Sequence, residues 1–347
     1  MFDLNKIVRK NILVLKPYSS ARDEFSGKDG IFLDANENPY GVLNRYPDPY
    51  QKDLKKKLSM VKSVHVENIF IGNGSDEAID IIFRTFCNPG KDKALTFSPT
   101  YGMYEVSAGI NDVELITIPL NGSFQITINE LNKYLNDEKL KLIFVCSPNN
   151  PTANNIDKVE QILQKFKGMV IVDEAYNDFS TKGSFLKNLP IYPNLIVLQT
   201  FSKAWALAAA RVGVAYASAE IISLFNKVKP PYNVGELNQK AAITALENME
   251  EFEKRKVQIL EQKSILEKEL KKLNVVKHIY PSDANFFLIE TVNADYIYNE
   301  LVRQKVITRN RSNMVRNCIR ITVGSPEENG KLVNALKTIT HEKDFIY

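Results

Sequence analysis

The sequence predicts an α/β protein: a large unit built on a mostly parallel sheet covered by helices, followed by a smaller α/β unit. Three observations carry this. Between about Asn68 and Ala217, short runs of branched and apolar residues alternate with helical stretches, the pattern of a buried parallel sheet. From Glu236 to Leu273 the chain turns helical and charge-laced, with a break near Asn248. Beyond it comes a shorter mixture of strands and helices, and a length of 347 residues suits about two domains.

In chain order, the large unit's strands are expected at 69–71, 94–97, 113–118, 142–146, 170–172, 195–199 and 212–217. The small unit's strands fall near 285–289 and 318–323, and its helices near 294–304 and 327–338. The first 40 residues carry no core of their own. The expected division is an N-terminal arm at 1–40 packing on the small domain or on a partner subunit, a large domain at 41–240, and a connecting helix with the small domain at 241–347.

Charge and composition exclude several partners. Lys and Arg number 45 against 41 Asp and Glu, and the two signs interleave, as across 250–272. That is a solvated helix face, so nucleic-acid binding is not expected. Three cysteines lie far apart with no C-x-x-C pair, which points to a reducing compartment and no zinc site. With 3 histidines, none beside a cysteine or a carboxylate pair, no metal is expected. The apolar run at 12–15 is too short for a signal or a membrane span, so the expected location is cytoplasmic.

Ligands of open α/β sheets sit at the carboxyl ends of the strands. In Ile69-Phe-Ile-Gly-Asn-Gly-Ser-Asp-Glu77 a strand runs into Gly72 and Gly74, with Ser75 placed to cap the next helix. Its free N–H groups and positive dipole end can hold a phosphate, although a glycine turn with a good cap accounts for the same residues. Glu77 stands at the third glycine position of a dinucleotide fingerprint, which therefore fails. In Leu142-Ile-Phe-Val-Cys-Ser-Pro-Asn-Asn-Pro-Thr152 a strand ends in a doubly prolyl turn that places Asn149 at its carboxyl end.

Met169-Val-Ile-Val-Asp-Glu-Ala-Tyr176 puts at least one of Asp173 and Glu174 at the end of a central strand, where an unpaired charge is costly. Its partner is either a metal or a protonated nitrogen heterocycle. In Val197-Leu-Gln-Thr-Phe-Ser-Lys203, a lysine follows a strand and precedes small and apolar residues. Such surroundings lower an ammonium pKa and make the amine a nucleophile toward carbonyls. Thr200, Ser202 and Arg211 add a second phosphate-type cluster. A nucleophilic lysine, a strand-end carboxylate, an amide, a tyrosine and a dianion site are together what pyridoxal phosphate requires.

Further motifs occur in one order: Leu33-Asp-Ala-Asn-Glu-Asn-Pro-Tyr-Gly41, Asn44-Arg-Tyr-Pro47, Pro99-Thr-Tyr-Gly-Met-Tyr104, Cys146-Ser-Pro-Asn-Asn-Pro-Thr152, Val172-Asp-Glu-Ala-Tyr176, Thr200-Phe-Ser-Lys203 and Arg320-Ile-Thr-Val-Gly324. On these, and on the 17–22 stretch, the chain resembles the histidinol-phosphate group of the fold-type I pyridoxal-phosphate aminotransferases over nearly its whole length. The resemblance implies a transaminase that interconverts L-histidinol phosphate plus 2-oxoglutarate with imidazole-acetol phosphate plus L-glutamate, in histidine biosynthesis. It implies pyridoxal 5'-phosphate as cofactor and a homodimer with shared active sites.

Residue by residue, the resemblance implies that Lys203 carries the cofactor and moves the proton, while Asp173 pairs with the pyridine nitrogen. Tyr176 and Asn149 bond the phenolic oxygen, and Tyr101 covers the ring face. Gly74, Ser75, Asp76, Thr200, Ser202 and Arg211 hold the phosphate, and Tyr46 reaches the phosphate in the other subunit. Arg320 and Arg309, with Tyr18 and Asn36, meet the substrate. The alternatives within the group are an aromatic or broad-range aminotransferase and a threonine-phosphate decarboxylase. A non-catalytic regulator module lacks a helix-turn-helix segment here, and a nicotinamide dehydrogenase rests only on the incomplete glycine loop.

Two departures concern the backbone. Ala153 stands where the group usually has glycine, and a left-handed conformation there is strained by a methyl group. Ala208 to Ala210 occupy a stretch where a Gly-Leu pair is common.

Overall fold

The computed structural model describes residues 2–18 and 30–341. All seven strands expected for the large sheet are present: β1 (Ile69–Asn73), β2 (Lys93–Ser98), β3 (Glu114–Pro119), β4 (Leu140–Cys146), β5 (Met169–Asp173), β6 (Leu195–Thr200) and β7 (Val212–Tyr216). Their order is β1-β7-β6-β5-β4-β2-β3, and only β7 runs antiparallel to its neighbours.

The apolar runs are unbroken because both faces of this sheet are covered. Ile143, Val145, Val170 and Val172 enter one core with Leu54 and Leu58 of the helix Lys52–Lys62. Leu142, Phe144, Met169 and Ile171 enter the other, with Ile79, Ile82 and Phe83 of the helix Ser75–Phe86. Truncating Phe83, which is fully buried, to alanine should cost about 3–5 kcal/mol.

A second, antiparallel sheet has the order β10-β11-β9-β8, from β8 (Val276–Ile279), β9 (Phe286–Thr291), β10 (Arg309–Asn310) and β11 (Cys318–Thr322). The helices Ala294–Arg303 and Pro326–His341 cover it, around a core that includes Phe287, Ile289, Ile297, Leu301, Ile319 and Leu336. Sequence reading finds β9 and β11 but neither β8 nor β10. Both are edge strands: β10 is two residues long, and no residue of β8 is fully buried. The expected break near Asn248 is real, since Asn248 ends one helix and caps the next, Met249–Leu270.

The arm is corrected in part. Val8 and Ile12 are buried against the large sheet's helices, not on the small unit. Arg9 N–H donates to the Thr85 carbonyl (3.1 Å), and Lys227 Nζ to that of Leu13 (3.2 Å). Residues 19–29, with the end of the 17–22 motif, lie outside the described residues. All three cysteines are free and buried. Among the described residues, no helix is long and apolar enough to cross a membrane, and no group of three or more His, Cys, Asp or Glu side chains could hold a metal ion.

Candidate active site

The ends of β4, β5 and β6 and the start of the helix Ser75–Phe86 converge on a cavity of about 150 Å³, lined by Lys203, Asp173, Tyr176, Tyr101, Thr200, Ser202 and Arg211 among others. Three larger clefts, of about 460, 670 and 510 Å³, do not contain Lys203, so cavity size alone does not locate the chemistry.

Asp173 closes β5 and is 2% exposed. Oδ1 accepts from the Ala175 N–H (3.1 Å) and Oδ2 from the Tyr104 hydroxyl (2.7 Å). Burial pushes its pKa up, and the Tyr104 and Ala175 hydrogen bonds pull it back toward the charged form. Glu174 turns away from the Lys203 cavity and ties down the neighbouring loop, accepting from Ser184 Oγ (2.5 Å), the Phe185 N–H (2.6 Å) and Gln199 Nε2 (2.9 Å). Of the two strand-end carboxylates, only Asp173 is available to a ligand in that cavity.

Lys203 sits in the turn after β6, with Nζ 5.5 Å from the Tyr176 ring centroid. Its side chain is open at the cavity mouth, yet the surrounding walls partly desolvate the ammonium and lower its pKa. The Arg320 cation lowers it further, while Asp173 opposes both. An amine that sheds its proton more readily is a better nucleophile toward a carbonyl.

The same cavity holds an anion cradle. Thr200 Oγ1 donates to Ser202 Oγ (3.0 Å), and Arg211 reaches Asp76 Oδ2 (3.3 Å) and Ser202 Oγ (3.4 Å). Two glycines make the close approach possible. Gly74 has φ +80°, and a Cβ there would collide with the Arg211 guanidinium. A Cβ on Gly213 would overlap the backbone of Gly74 and Ser75. Ser75 does not cap the helix, as the sequence suggested: it is the first helical residue, Gly74 holds the cap position, and Glu77 accepts from the Asn73 N–H instead. Free N–H groups at the start of a 12-residue helix, next to two hydroxyls and an arginine, suit a dianion. Tyr101 also lines the cavity, its hydroxyl donating to Asp76 Oδ1 (3.0 Å).

Asn149 is a correction. Its Nδ2 donates to the Pro99 carbonyl (2.9 Å) and Thr152 Oγ1 (2.7 Å), and its Oδ1 accepts from Thr100 (2.8 Å), so the amide is fully engaged within the turn. The cavity is lined by Asn150. The peptide bonds Ser147–Pro148 and Asn150–Pro151 are both cis.

Asn150 also joins the two units, because Arg320 Nη1 donates to its Oδ1 (2.6 Å) while the guanidinium lies over the Phe286 ring (5.3 Å). Arg309 is directly opposite Arg320 in the sheet register, and both line the 670 Å³ cleft and not the Lys203 cavity, which Arg320 meets through Asn150. Burial, with the neighbouring Arg320 and Arg309 cations, lowers the Arg311 pKa to about 10. Tyr18, Asn36 and Tyr46 are not brought to the Lys203 cavity within one chain. Tyr18 lines a groove beside Lys229, and the other two line a separate one. Tyr46 stacks on Tyr232, with ring centroids 4.5 Å apart.

The amine, the dianion cradle and the buried carboxylate, all lining one cavity, agree with sequence comparison. The model of the family described as aminotransferase class I and II matches residues 33–336. The chain belongs to the class I and II aminotransferases. Among curated members of that family, it is similar to the histidinol-phosphate aminotransferase of Cytophaga hutchinsonii, 52% identical over 346 residues, 97% of this chain and 99% of the relative. Aminotransferase structures share its fold. The histidinol-phosphate aminotransferase from Clostridium acetobutylicum superposes with a TM-score of 0.78 at 23% identity, over 86% of this chain and 91% of that one. The enzyme from Sinorhizobium meliloti, solved in complex with pyridoxal-5'-phosphate, gives 0.76 at 21% identity over 85% and 83%.

Sequence reading missed Asn150 and Tyr104 as site residues. The Asn-Asn pair offered two equal amides, and only the turn geometry chooses between them. Tyr104 had no usable signal, because Tyr101 precedes the helix Met103–Ile110 and the spacing of three does not by itself put the two rings together.

Proposed function

We propose that this chain is a pyridoxal-phosphate-dependent transaminase that interconverts L-histidinol phosphate plus 2-oxoglutarate with imidazole-acetol phosphate plus L-glutamate in histidine biosynthesis, acting in the cytoplasm as a homodimer. The observation that carries the reading is one cavity holding the Lys203 amine, the buried Asp173 carboxylate and the Thr200, Ser202 and Arg211 cluster, in a chain of this family. That donor set fits an aromatic aldehyde with a basic ring nitrogen and a phosphate arm. When bound, pyridoxal phosphate supplies an electron sink for deprotonating a substrate carbon and passing on its amino group.

Lys203 would hold the aldehyde carbon and, once displaced by a substrate amine, move a proton at the substrate carbon. Asp173, buried, would accept from the protonated ring nitrogen. Tyr176, with Asn150 in the place first given to Asn149, would donate to the phenolic oxygen, and Tyr101 would cover the ring face. Gly74, Ser75, Asp76, Thr200, Ser202 and Arg211 would hold the phosphate. Arg320 would take the substrate's anionic group in each half-reaction, with Arg309 beside it. Arg320 spans 241–347 and the large unit through Asn150, which supports a small domain that helps to shape the substrate side.

Dimer formation is supported by exposed apolar residues at the end of the arm and just beyond it: Ile31 is 91% exposed, Leu33 87% and Val42 97%. Such a surface is characteristic of a contact between chains. Tyr18, Asn36 and Tyr46 would then serve the neighbouring site.

The test is a panel of amino donors that follows the cofactor's visible absorbance in single half-reactions. Histidinol phosphate should convert it fastest. Preference for phenylalanine, or release of carbon dioxide from threonine phosphate, would refute the assignment in favour of the corresponding relative.

A further inference from the structure

We infer that Tyr104 is a positioning residue: its hydroxyl aims the Asp173 carboxylate at the ring nitrogen of the bound cofactor and keeps it there. The inference rests on the cofactor reading above. Tyr104 is fully buried at the start of the helix Met103–Ile110, and its ring is clamped on two sides. It stacks on Phe144 of β4 (4.9 Å between centroids, 23° between planes) and meets the Tyr101 ring edge-on (5.7 Å). The clamp leaves its hydroxyl one position, 2.7 Å from Asp173 Oδ2.

The other carboxylate oxygen is held by the Ala175 N–H, so each oxygen has one fixed donor and the carboxylate plane is set. Asp173 nevertheless lines the cavity. The Cys146 thiol, which donates to the Pro148 carbonyl (3.4 Å), lies beside the same hydroxyl. Burial and the neighbouring Asp173 charge push the Tyr104 pKa well up, so the phenol keeps its proton and remains the donor. The remaining charges acting on Asp173 are unequal: Asp76 disfavours its ionised form and Lys203 favours it. Without the hydroxyl, a carboxylate 2% exposed would lose one of its two donors and bind the ring N–H less well.

A buried tyrosine also needs a hydrogen-bond partner for purely structural reasons. The experiment separates the two roles. Apoprotein, wild type and Tyr104→Phe, is titrated with pyridoxal phosphate and with its 1-deaza analogue, in which the ring nitrogen is replaced by CH. Wild type should prefer the natural cofactor. Tyr104→Phe should bind pyridoxal phosphate about tenfold more weakly, bind the deaza analogue within about twofold of wild type, and melt within a few degrees of it. Tyr104→His, whose ring N–H can donate, should recover part of the preference.

Equal weakening of both ligands, or of neither, overturns the inference. A wild type that binds both ligands equally well overturns the role of Asp173 and this inference with it. One that binds neither overturns the cofactor reading itself.

Discussion

Replacing Arg211 by glutamine should weaken cofactor binding by roughly 10- to 150-fold, the range set by one hydrogen bond to a charged group. In the folded chain Arg211 reaches Asp76 at 3.3 Å and Ser202 at 3.4 Å, both long contacts, and its side chain is 44% exposed. Such a pair adds little to stability, on the order of 1 kcal/mol or less, so Arg211→Gln should fold normally. Against a dianion the same guanidinium makes charge-assisted bonds, which are shorter and about twice as strong as neutral ones.

The substitution has a second effect. It leaves Asp76, 35% exposed, facing the phosphate without its cation, and the added repulsion moves the loss toward the upper end of the range. Asp76→Asn in the Arg211→Gln background should therefore recover part of the affinity. The assay is equilibrium titration of apoprotein with pyridoxal phosphate and with pyridoxal, which lacks the phosphate. Arg211→Gln should affect only the first. An equal loss for both, or no loss for either, would refute the assignment of this cluster as the phosphate cradle.

Other positions give independent expectations. Ala153 has φ +65° and is fully buried, so Ala153→Gly relieves about 1–2 kcal/mol of left-handed strain and loses about 0.8 kcal/mol of methyl burial. A gain of up to about 1 kcal/mol in urea unfolding is expected, and a loss larger than that would count against the strain. Gly213→Ala drives a methyl group into the backbone of Gly74 and Ser75 and should destabilise the fold by about 1–3 kcal/mol, read as a lower urea midpoint together with weaker cofactor binding. Burial and Arg320 lower the Lys203 pKa from 10.5, and only the free amine attacks a carbonyl, so borohydride-trapped capture of pyridoxal phosphate should rise with pH and level off below 10.5. Arg320→Gln removes a repelling cation, raises that midpoint and slows capture at pH 8; a wild-type profile that tracks free lysine would contradict this.

The large sheet was legible because strands buried on both faces are written as continuous apolar runs, and its site was legible because functional residues in such sheets follow the strand ends. Asp173, Thr200 and Lys203 follow that rule, while Arg211 precedes β7, whose antiparallel direction brings its start to the same edge. What stayed hidden was decided by geometry within a turn or across distant segments. The choice of Asn150 over Asn149 depends on how the Pro148 to Pro151 turn folds back on Thr100 and Thr152. Gly74 takes the cap position from Ser75 because the helix start must pass close to Gly213, which lies far away in sequence. β8 and β10 carry too few buried side chains to show a period. The start of the arm buries only Val8 and Ile12 fully, with Phe2, Leu4, Ile7 and Leu13 partly covered on the same core, a short apolar pattern that does not say which neighbour it meets.

The central claim is that Lys203 is the amine to which the cofactor is joined. Protein purified with pyridoxal phosphate, reduced with borohydride, digested and examined by peptide mass spectrometry should carry the phosphopyridoxyl increment on the peptide containing Lys203, with Lys203→Ala protein unlabelled and without the visible absorbance band. The increment on another lysine, or an unlabelled wild type, would contradict the account.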